Sequence, residues 1–534
     1  MSQDLEENSG NLLPSTQTFL SSQAGSSQTK KARHVGIVGV GFAGLRCADI
    51  LLAQGLEVTI LEARDRIGGR VHQTDLLGHP VDMGPNWIHG TSTNLIIALA
   101  KETGAVLCGM EDTPFIFGRS GQEVDPEKVA WALDTDFFAD QVQNMGLCDT
   151  DSTLVMDMAA MWGGFIGDSW ERQSMKYMWL EECLGGDNLF VNTHGKILDR
   201  VANTALQKAT MHFNTAVTTI TNSPDKDHRV FVQTKDAHTF EFDEIVVTVP
   251  LGALNNHSIE FNPPLAPQIT RAISEATYSS LEKVQAWNPS RTSSPEYTMQ
   301  SSPDSWDIEV LSLASSEVFG ADNTQPTLLF QLYGSCAAKL MPLIAPHDPT
   351  SAEYFQIIND FFQLYYSRLP NYRATDSDCH PESVPTTNWQ NDKLAGNGSY
   401  MNFTIGVEEK QKKQKSEYKL EEGIQALRHG QPERHIWLAG EHTAPFVALG
   451  TLTGAYWSGE FVAVRLLRTC KFCTYSLVVA VHFMGCMEKV RAATVPGMQG
   501  LFTCIPGGLI FKVLTVIFQA LEHGEILLVY LLHG

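Results

Sequence analysis

Basic residues are scarce in this chain: 38 Lys and Arg stand against 60 Asp and Glu, a net charge of −22 with pI near 5.2. That deficit excludes nucleic acid as the main partner, because a phosphate backbone is held through clustered cations. The excess acid reads mainly as solvated surface, and it would welcome a cationic ligand. Cysteine has no framework. The ten residues fall at irregular spacings, and Cys470-x-x-Cys473 has no second pair or histidine cluster beside it, so neither a disulfide scaffold nor a zinc site is expected. No basic-then-apolar secretory signal opens the sequence. A reducing intracellular compartment, the cytoplasm first, is the expectation.

What is present is a glycine turn in its full context. His34-Val-Gly-Ile-Val-Gly39-Val-Gly41-Phe-Ala-Gly44 precedes a helical run, Leu45 to Leu52, and a second apolar run, Val58-Thr-Ile-Leu-Glu62. Gly39 permits the tight turn, Gly41 lets the backbone approach a pyrophosphate, and Gly44 lets the helix pack closely on the strand. Glu62, 18 residues beyond Gly44, is placed to accept ribose hydroxyls and would repel a 2′-phosphate. The pattern predicts a dinucleotide, FAD first, and disfavours NADP. Next comes Arg64-Asp-Arg66-Ile-Gly68-Gly69-Arg70, where backbone amides around Gly69 and the guanidinium groups of Arg64 and Arg70 offer further phosphate contacts.

The rest divides by composition. Residues 1–30 are rich in Ser, Gln and Asn and read as a disordered leader. Residues 33–112, 200–258 and 425–468 are expected to form a discontinuous dinucleotide domain, and 113–199 and 259–424 a second domain. The stretch 408–419 is a lysine-rich polar run, read as an exposed loop. Residues 469–534 form an apolar tail in which 501–520 is about as long as a membrane span, although Pro506, Gly507 and Gly508 interrupt it. A tail anchor is the alternative to a cytoplasmic location.

Together with Asp82-Met-Gly84-Pro-Asn-Trp87-Ile-His89-Gly90 and Gly440-Glu441-His442-Thr443, these motifs occur in an order that resembles the flavin-containing amine oxidases, most of all the polyamine oxidases. The resemblance covers roughly residues 33–467. It implies an α/β fold, α+β overall: a Rossmann-like FAD domain of the glutathione-reductase type, with an interleaved substrate domain of mixed sheet and helices.

By the same resemblance Glu62 is the ribose ligand, and Arg64, Gly69 and Arg70 lie beside the cofactor. Val217 is the adenine-side strand residue, and Glu441 lies near the ribityl and pyrophosphate region. Thr451-Leu-Thr453-Gly454 is the flavin-contacting turn, with a helix N-terminus that would stabilise the reduced ring. Lys283 matches the lysine that holds a water beside the flavin, Trp389 to Tyr400 the segment against the ring, and His89 a polar residue of the substrate pocket. No cysteine lies between Cys379 and Cys470 for covalent attachment, so FAD is expected to be non-covalent.

The implied chemistry is oxidation of an uncharged amine by hydride transfer, followed by imine hydrolysis to aldehyde plus amine. A desolvated pocket lined by Trp87, Tyr400 and Tyr456 would favour the neutral nitrogen. With a single dinucleotide fingerprint, O2 is the expected acceptor and H2O2 the product. The substrate is expected to be a small cationic amine such as spermine or spermidine, free or acetylated, with Glu181, Glu182 and Asp187 as candidates for its remote ammonium groups. Two departures from the family pattern fall on the substrate side, at Trp287-Asn-Pro-Ser and Val191-Asn-Thr-His-Gly195. They keep two alternatives open: an oxidase of another amine or of a protein lysine, and an FAD-binding interaction protein without turnover.

Overall fold

Alternation along buried strands divides the first layer of the molecule into two cores. Val35, Ile37, Val246 and Trp437 pack on one face of a sheet, while Val38, Ile245, Val247 and Leu438 pack on the other. The computed structural model describes residues 33–91, 94–109, 115–117, 122–125, 127–129, 147–160, 162–174, 186–222, 229–288, 297–300, 308–314, 323–369, 372–404 and 420–470. The sheet has five strands, all pairings parallel, in the order Ile436–Leu438, Glu244–Val247, His34–Val38, Glu57–Leu61, Thr210–His212. Buried on both faces, its strands are nearly continuous in apolar residues, as a covered parallel sheet requires.

Helices Phe42–Ala53, Gly195–Lys208 and Leu452–Thr469 cover the first face. The second face is covered by a four-stranded sheet, Thr239–Phe242, Val230–Thr234, Val217–Asn222 and Glu260–Asn262, together with helices Pro267–Glu275 and Leu420–His429. The mixed α/β class expected from the sequence is therefore observed.

A separate five-stranded sheet runs Glu282–Trp287, Thr327–Leu332, Ile308–Ser312, Tyr297–Gln300, Phe115–Phe117, antiparallel except at the last pairing. One face is apolar: Val284, Val310 and Phe330 pack against helices Gly334–Ile344 and Ala352–Tyr366. Ser351 caps the second helix by accepting from the Tyr354 amide. The opposite face carries Lys283, Gln285, Glu309 and Gln331. An apolar side held by helices and a polar side turned inward is what places chemistry within this sheet.

Packing carries the dinucleotide layer past the sequence-derived boundaries. Helix Gly195–Lys208 straddles the boundary expected at 200, and helix Leu420–His429 the one expected at 425. The second segment does not stop at 258, because Glu260–Asn262 pairs in parallel with Val217–Asn222 and Pro267–Glu275 shares the core of Leu420–His429. Strands Thr239–Phe242 and Glu244–Val247, one residue apart, belong to different sheets. Phe115–Phe117 and Leu189–Val191 are strands. No helix among the described residues is long and apolar enough to cross a membrane. Residues 1–30, 408–419, 501–520 and Cys473 lie outside the described residues.

Candidate active site

At the end of the His34–Val38 strand, Gly39 has φ +101°, a left-handed conformation that a side chain would strain, and its amide donates to the Leu61 carbonyl at 2.9 Å. A Cβ on Gly44 would run into the Gly39 carbonyl oxygen, which explains the close helix-to-strand approach. Gly41 is the helix N-cap and no side chain caps it, so the first-turn amides of Phe42–Ala53 remain open where Gly41, Phe42 and Ala43 line a cavity. Glu62 closes the second strand. Its Oε2 accepts from the Val40 amide at 2.9 Å and its Oε1 from the Arg64 amide at 2.8 Å, which locks the carboxylate and leaves further lone pairs toward the cavity.

That cavity encloses about 1240 Å³, more than the roughly 300–1,000 Å³ of a typical small-molecule pocket. It runs from the glycine turn past Val217 to Lys283 and Tyr400. A dinucleotide fits its cradle: glycine backbone at one end, Arg64, Gly69 and Arg70 along the wall, and aromatic residues Trp87 and Trp389 further on. A second cavity of about 920 Å³ shares Arg64 and Trp389 but holds neither the glycine turn nor Lys283.

Glu441 gathers three distant segments. It accepts from Arg70 Nη1 at 3.0 Å and Tyr278 Oη at 3.3 Å on Oε1, and from the Met401 amide at 3.3 Å on Oε2. Arg70 also donates to the Ser399 carbonyl at 2.6 Å. Burial works against the Arg70 charge, but Tyr278 and Glu441 outweigh it and hold the guanidinium firmly protonated. Arg64 is tied to Asp392 at 2.7 Å.

Lys283 lies inside strand Glu282–Trp287 and is 5% exposed. Its Nζ donates to the Gly84 carbonyl and to Asn86 Oδ1, so the Asp82–Gly90 motif and the lysine meet at one wall. Burial lowers its pKa to about 7, against the pull of Asp82 and Glu309. Its neighbour Glu282 points the other way. It accepts from Thr387 Oγ1 at 2.5 Å and from the amides of Trp389 and Gln390 at 3.0 and 2.8 Å, fixing the turn that carries Trp389 into the cavity. Burial raises the Glu282 carboxyl to about 7. At His89, burial lowers the imidazole pKa against a hydrogen bond to Asn188 that raises it, so a neutral ring stands in the wall at pH 7.

Gly39, Gly41, Glu62, Arg64, Gly69, Arg70, Trp87, His89, Val217, Lys283, Tyr400, Glu441 and Thr451 all line this one cavity. Gly44, Thr453 and Tyr456 do not; Gly44 serves the close helix-to-strand approach. Thr453 faces Asn94, whose Nδ2 donates to its Oγ1 at 2.9 Å, and it ties the closing helix to Leu95–Thr103. Tyr456 belongs to the helix-side core, with the Arg46 guanidinium 4.8 Å from its ring centroid. Both misplacements follow from the start of the helix at Leu452, which turns positions 453 and 456 away from the cavity. Asp187 lines the cavity, and Glu181 and Glu182 lie outside the described residues.

Sequence reasoning missed Asn86, Gln331 and Glu309. For the last two, the available signal was a single polar residue inside an otherwise apolar strand, in Thr327-Leu-Leu-Phe-Gln331-Leu and Ile308-Glu309-Val-Leu.

A profile of the flavin-containing amine oxidoreductases matches residues 42–129 and 132–467, and the chain belongs to that family. Among its relatives, a probable polyamine oxidase 4 of Arabidopsis thaliana is 27% identical over 277 residues, 45% of this chain and 54% of its own length. Polyamine oxidase 4 of Oryza sativa subsp. japonica is 28% identical over 277 residues, 45% of this chain and 55% of its own. A lysine-specific histone demethylase 1 homolog 3 of Oryza sativa subsp. indica is 26% identical over 290 residues, 46% of this chain and 34% of its own. The matched part thus spans about half the length of the two polyamine oxidases. The family carries flavin, and the cradle described above fits FAD.

Proposed function

We propose that the protein oxidises an amine, a polyamine such as spermine or spermidine first among them, to an imine that water hydrolyses to an aldehyde and a shorter amine. Overall, amine, O2 and water give aldehyde, amine and H2O2, and the electrons and atoms balance. When bound, FAD supplies the hydride acceptor and passes the electrons to O2. The observation that carries this reading is Lys283, drawn toward neutrality by burial, on the wall of the same cavity that begins at the Gly39–Gly44 turn.

The chain's own residues then have defined tasks. Glu62, the open amides at Gly41 to Ala43, and Arg70 hold the dinucleotide end. Trp87, Trp389 and Tyr400 exclude water and so favour the uncharged form of the reacting nitrogen, because burial disfavours an ammonium. Lys283, anchored by Gly84 and Asn86, gives or takes a proton at Nζ near neutral pH and can hold the water that hydrolyses the imine. His89, neutral, hydrogen-bonds rather than serving as a strong base.

The test is anaerobic mixing of the yellow protein with spermine, spermidine, their acetylated forms, simple monoamines and a methyl-lysine peptide. Bleaching by a polyamine is the expected result. Bleaching by the peptide alone would favour the protein-lysine reading, which the demethylase-named relative supports. Bleaching by none would leave a flavin-binding protein without this activity.

A further inference from the structure

Of the three arginines in Arg64-Asp-Arg66-Ile-Gly68-Gly69-Arg70, two are matched by carboxylates: Arg64 pairs with Asp392 at 2.7 Å and Arg70 with Glu441 at 3.0 Å. Arg66 stands between them without such a partner. Its Nη1 donates to the carbonyls of Ile67 and Gly69 at 3.2 and 2.8 Å, and among the described residues no carboxylate lies within ion-pair distance of it. Burial, and after it the Arg64 charge, lower the Arg66 pKa by more than Glu62, Asp392 and Asp65 raise it. A partly buried cation of this kind is costly until opposite charge reaches it. In a chain of net charge −22, that leaves a local need for an anion.

Arg66 lines the second cavity, of about 920 Å³, which has only Arg64 and Trp389 in common with the dinucleotide cavity. His72 lines it too. Burial first, then the Arg66 and Arg64 charges, bring the His72 pKa down to about 4 against the pull of Asp392, so its ring is neutral at pH 7. The two carboxylates of the lining do not answer Arg66. Asp392 accepts from Arg64 on Oδ2 and from the amides of Leu394 and Ala395 on Oδ1, at 2.9 and 3.2 Å, while Glu382 is exposed to solvent. At the start of helix Ala352–Tyr366, the Ser351 hydroxyl accepts from the Tyr354 amide, which leaves the Ala352 amide of the lining without an intrahelical partner.

This combination selects the ligand. A cation would meet two guanidinium groups, and an apolar molecule would strip water from Arg66 and His72 and return no hydrogen bond. An anion supplies what Arg66 lacks, in the planar fork geometry that suits phosphate and carboxylate alike. Met83, Phe355 and Trp389 offer apolar surface in the same cavity. We propose that the second cavity is a binding site for a small organic anion, its phosphate or carboxylate head held by Arg66 and His72 and its apolar body lying against Met83, Phe355 and Trp389. The site stands apart from the amine-oxidase reading and does not depend on it.

The test is calorimetric titration of the FAD-loaded protein with phenyl phosphate, with phenylacetate and with benzyl alcohol as the uncharged control, joined to histidine NMR in which His72→Asn identifies the His72 signal. Binding of either anion is expected, and the tighter of the two names the head. Saturation should move the His72 titration midpoint upward by about one unit, the effect of a nearby negative charge on an imidazole, with FAD retained. Arg66→Gln should weaken binding by about tenfold or more, the scale of a lost charged hydrogen bond, and Arg66→Lys by less. No binding of either anion, benzyl alcohol bound as tightly as both, an unmoved His72 midpoint, or unimpaired binding by Arg66→Gln would each overturn the site. So would anion binding that expels FAD, because the anion would then sit in the dinucleotide cradle. If Arg66→Gln does not fold, the His72 shift in wild type decides.

Discussion

Lys283 and Glu282 are adjacent in sequence and face opposite sides of one strand, and burial draws both toward pH 7 from opposite directions. Their effects on stability therefore have opposite signs. Between its ordinary 4.5 and about 7, Glu282 holds a proton in the folded state that the unfolded chain releases, so stability falls as pH rises. Between about 7 and its ordinary 10.5, Lys283 is neutral when folded and charged when unfolded, so stability rises with pH. Glu282→Gln should flatten the lower limb of a plot of Tm against pH, and Lys283→Met the upper limb; unaltered slopes in both would contradict the burial argument.

In stopped-flow kinetics, Lys283→Met should slow flavin reduction or reoxidation by about 10²-fold, the scale of a lost proton-transfer group, with FAD still bound. The rate inflection near pH 7 should vanish with it. Lys283 was identified through resemblance because its local motif, Leu281-Glu-Lys283-Val284, is contiguous. Glu309 was not, because its relation to Lys283 exists only through strand register across Thr327–Leu332.

At the scale of elements, the closing helix shows how one turn of phase decides function. Thr451 is its N-cap, accepting from the Gly454 amide at 2.9 Å, and lines the cavity, while Thr453 is turned to Asn94. Thr451→Ala should cost about 1 kcal/mol in denaturant unfolding and weaken FAD binding. Thr453→Val should lower stability yet leave FAD affinity within twofold; a large loss of flavin from that variant would place Thr453 back at the cofactor.

The strand, turn and helix at 34–53 could be read directly, because local glycine chemistry and unbroken apolar strands specify them without help from the rest of the chain. The boundaries at 195, 276 and 420 could not, because helices Gly195–Lys208, Pro267–Glu275 and Leu420–His429 owe their layer to partners far away in sequence. Their amphipathic patterns show that each has a buried face and are silent on which sheet buries it.

For the whole molecule, the cavity walls come from segments around residues 40, 64, 217, 283, 400 and 441, held together by the Arg70–Glu441 pair and by Lys283 on Gly84. No cysteine is among the described residues that line the cavity. Acid precipitation should therefore leave the yellow colour in the supernatant, and a yellow pellet would show a covalent bond. Flavin at 1,000 times its Kd would add about 4 kcal/mol to the folded state. Stripping the cofactor should accordingly lower Tm and broaden the loss of structure across both sheets together.

The parallel pairing of Ile436–Leu438 with Glu244–Val247, and the seat of Leu452–Thr469 on Phe42–Ala53, have a consequence for biosynthesis. The glycine turn leaves the ribosome early, but the groove it opens into lacks the wall made by Gly440, Glu441 and Leu449 to Leu452 until those residues have emerged. Vitamin-derived colour is thus acquired after translation of that wall and not during it, and nascent chains stalled before residue 436 should emerge pale however much cofactor surrounds them.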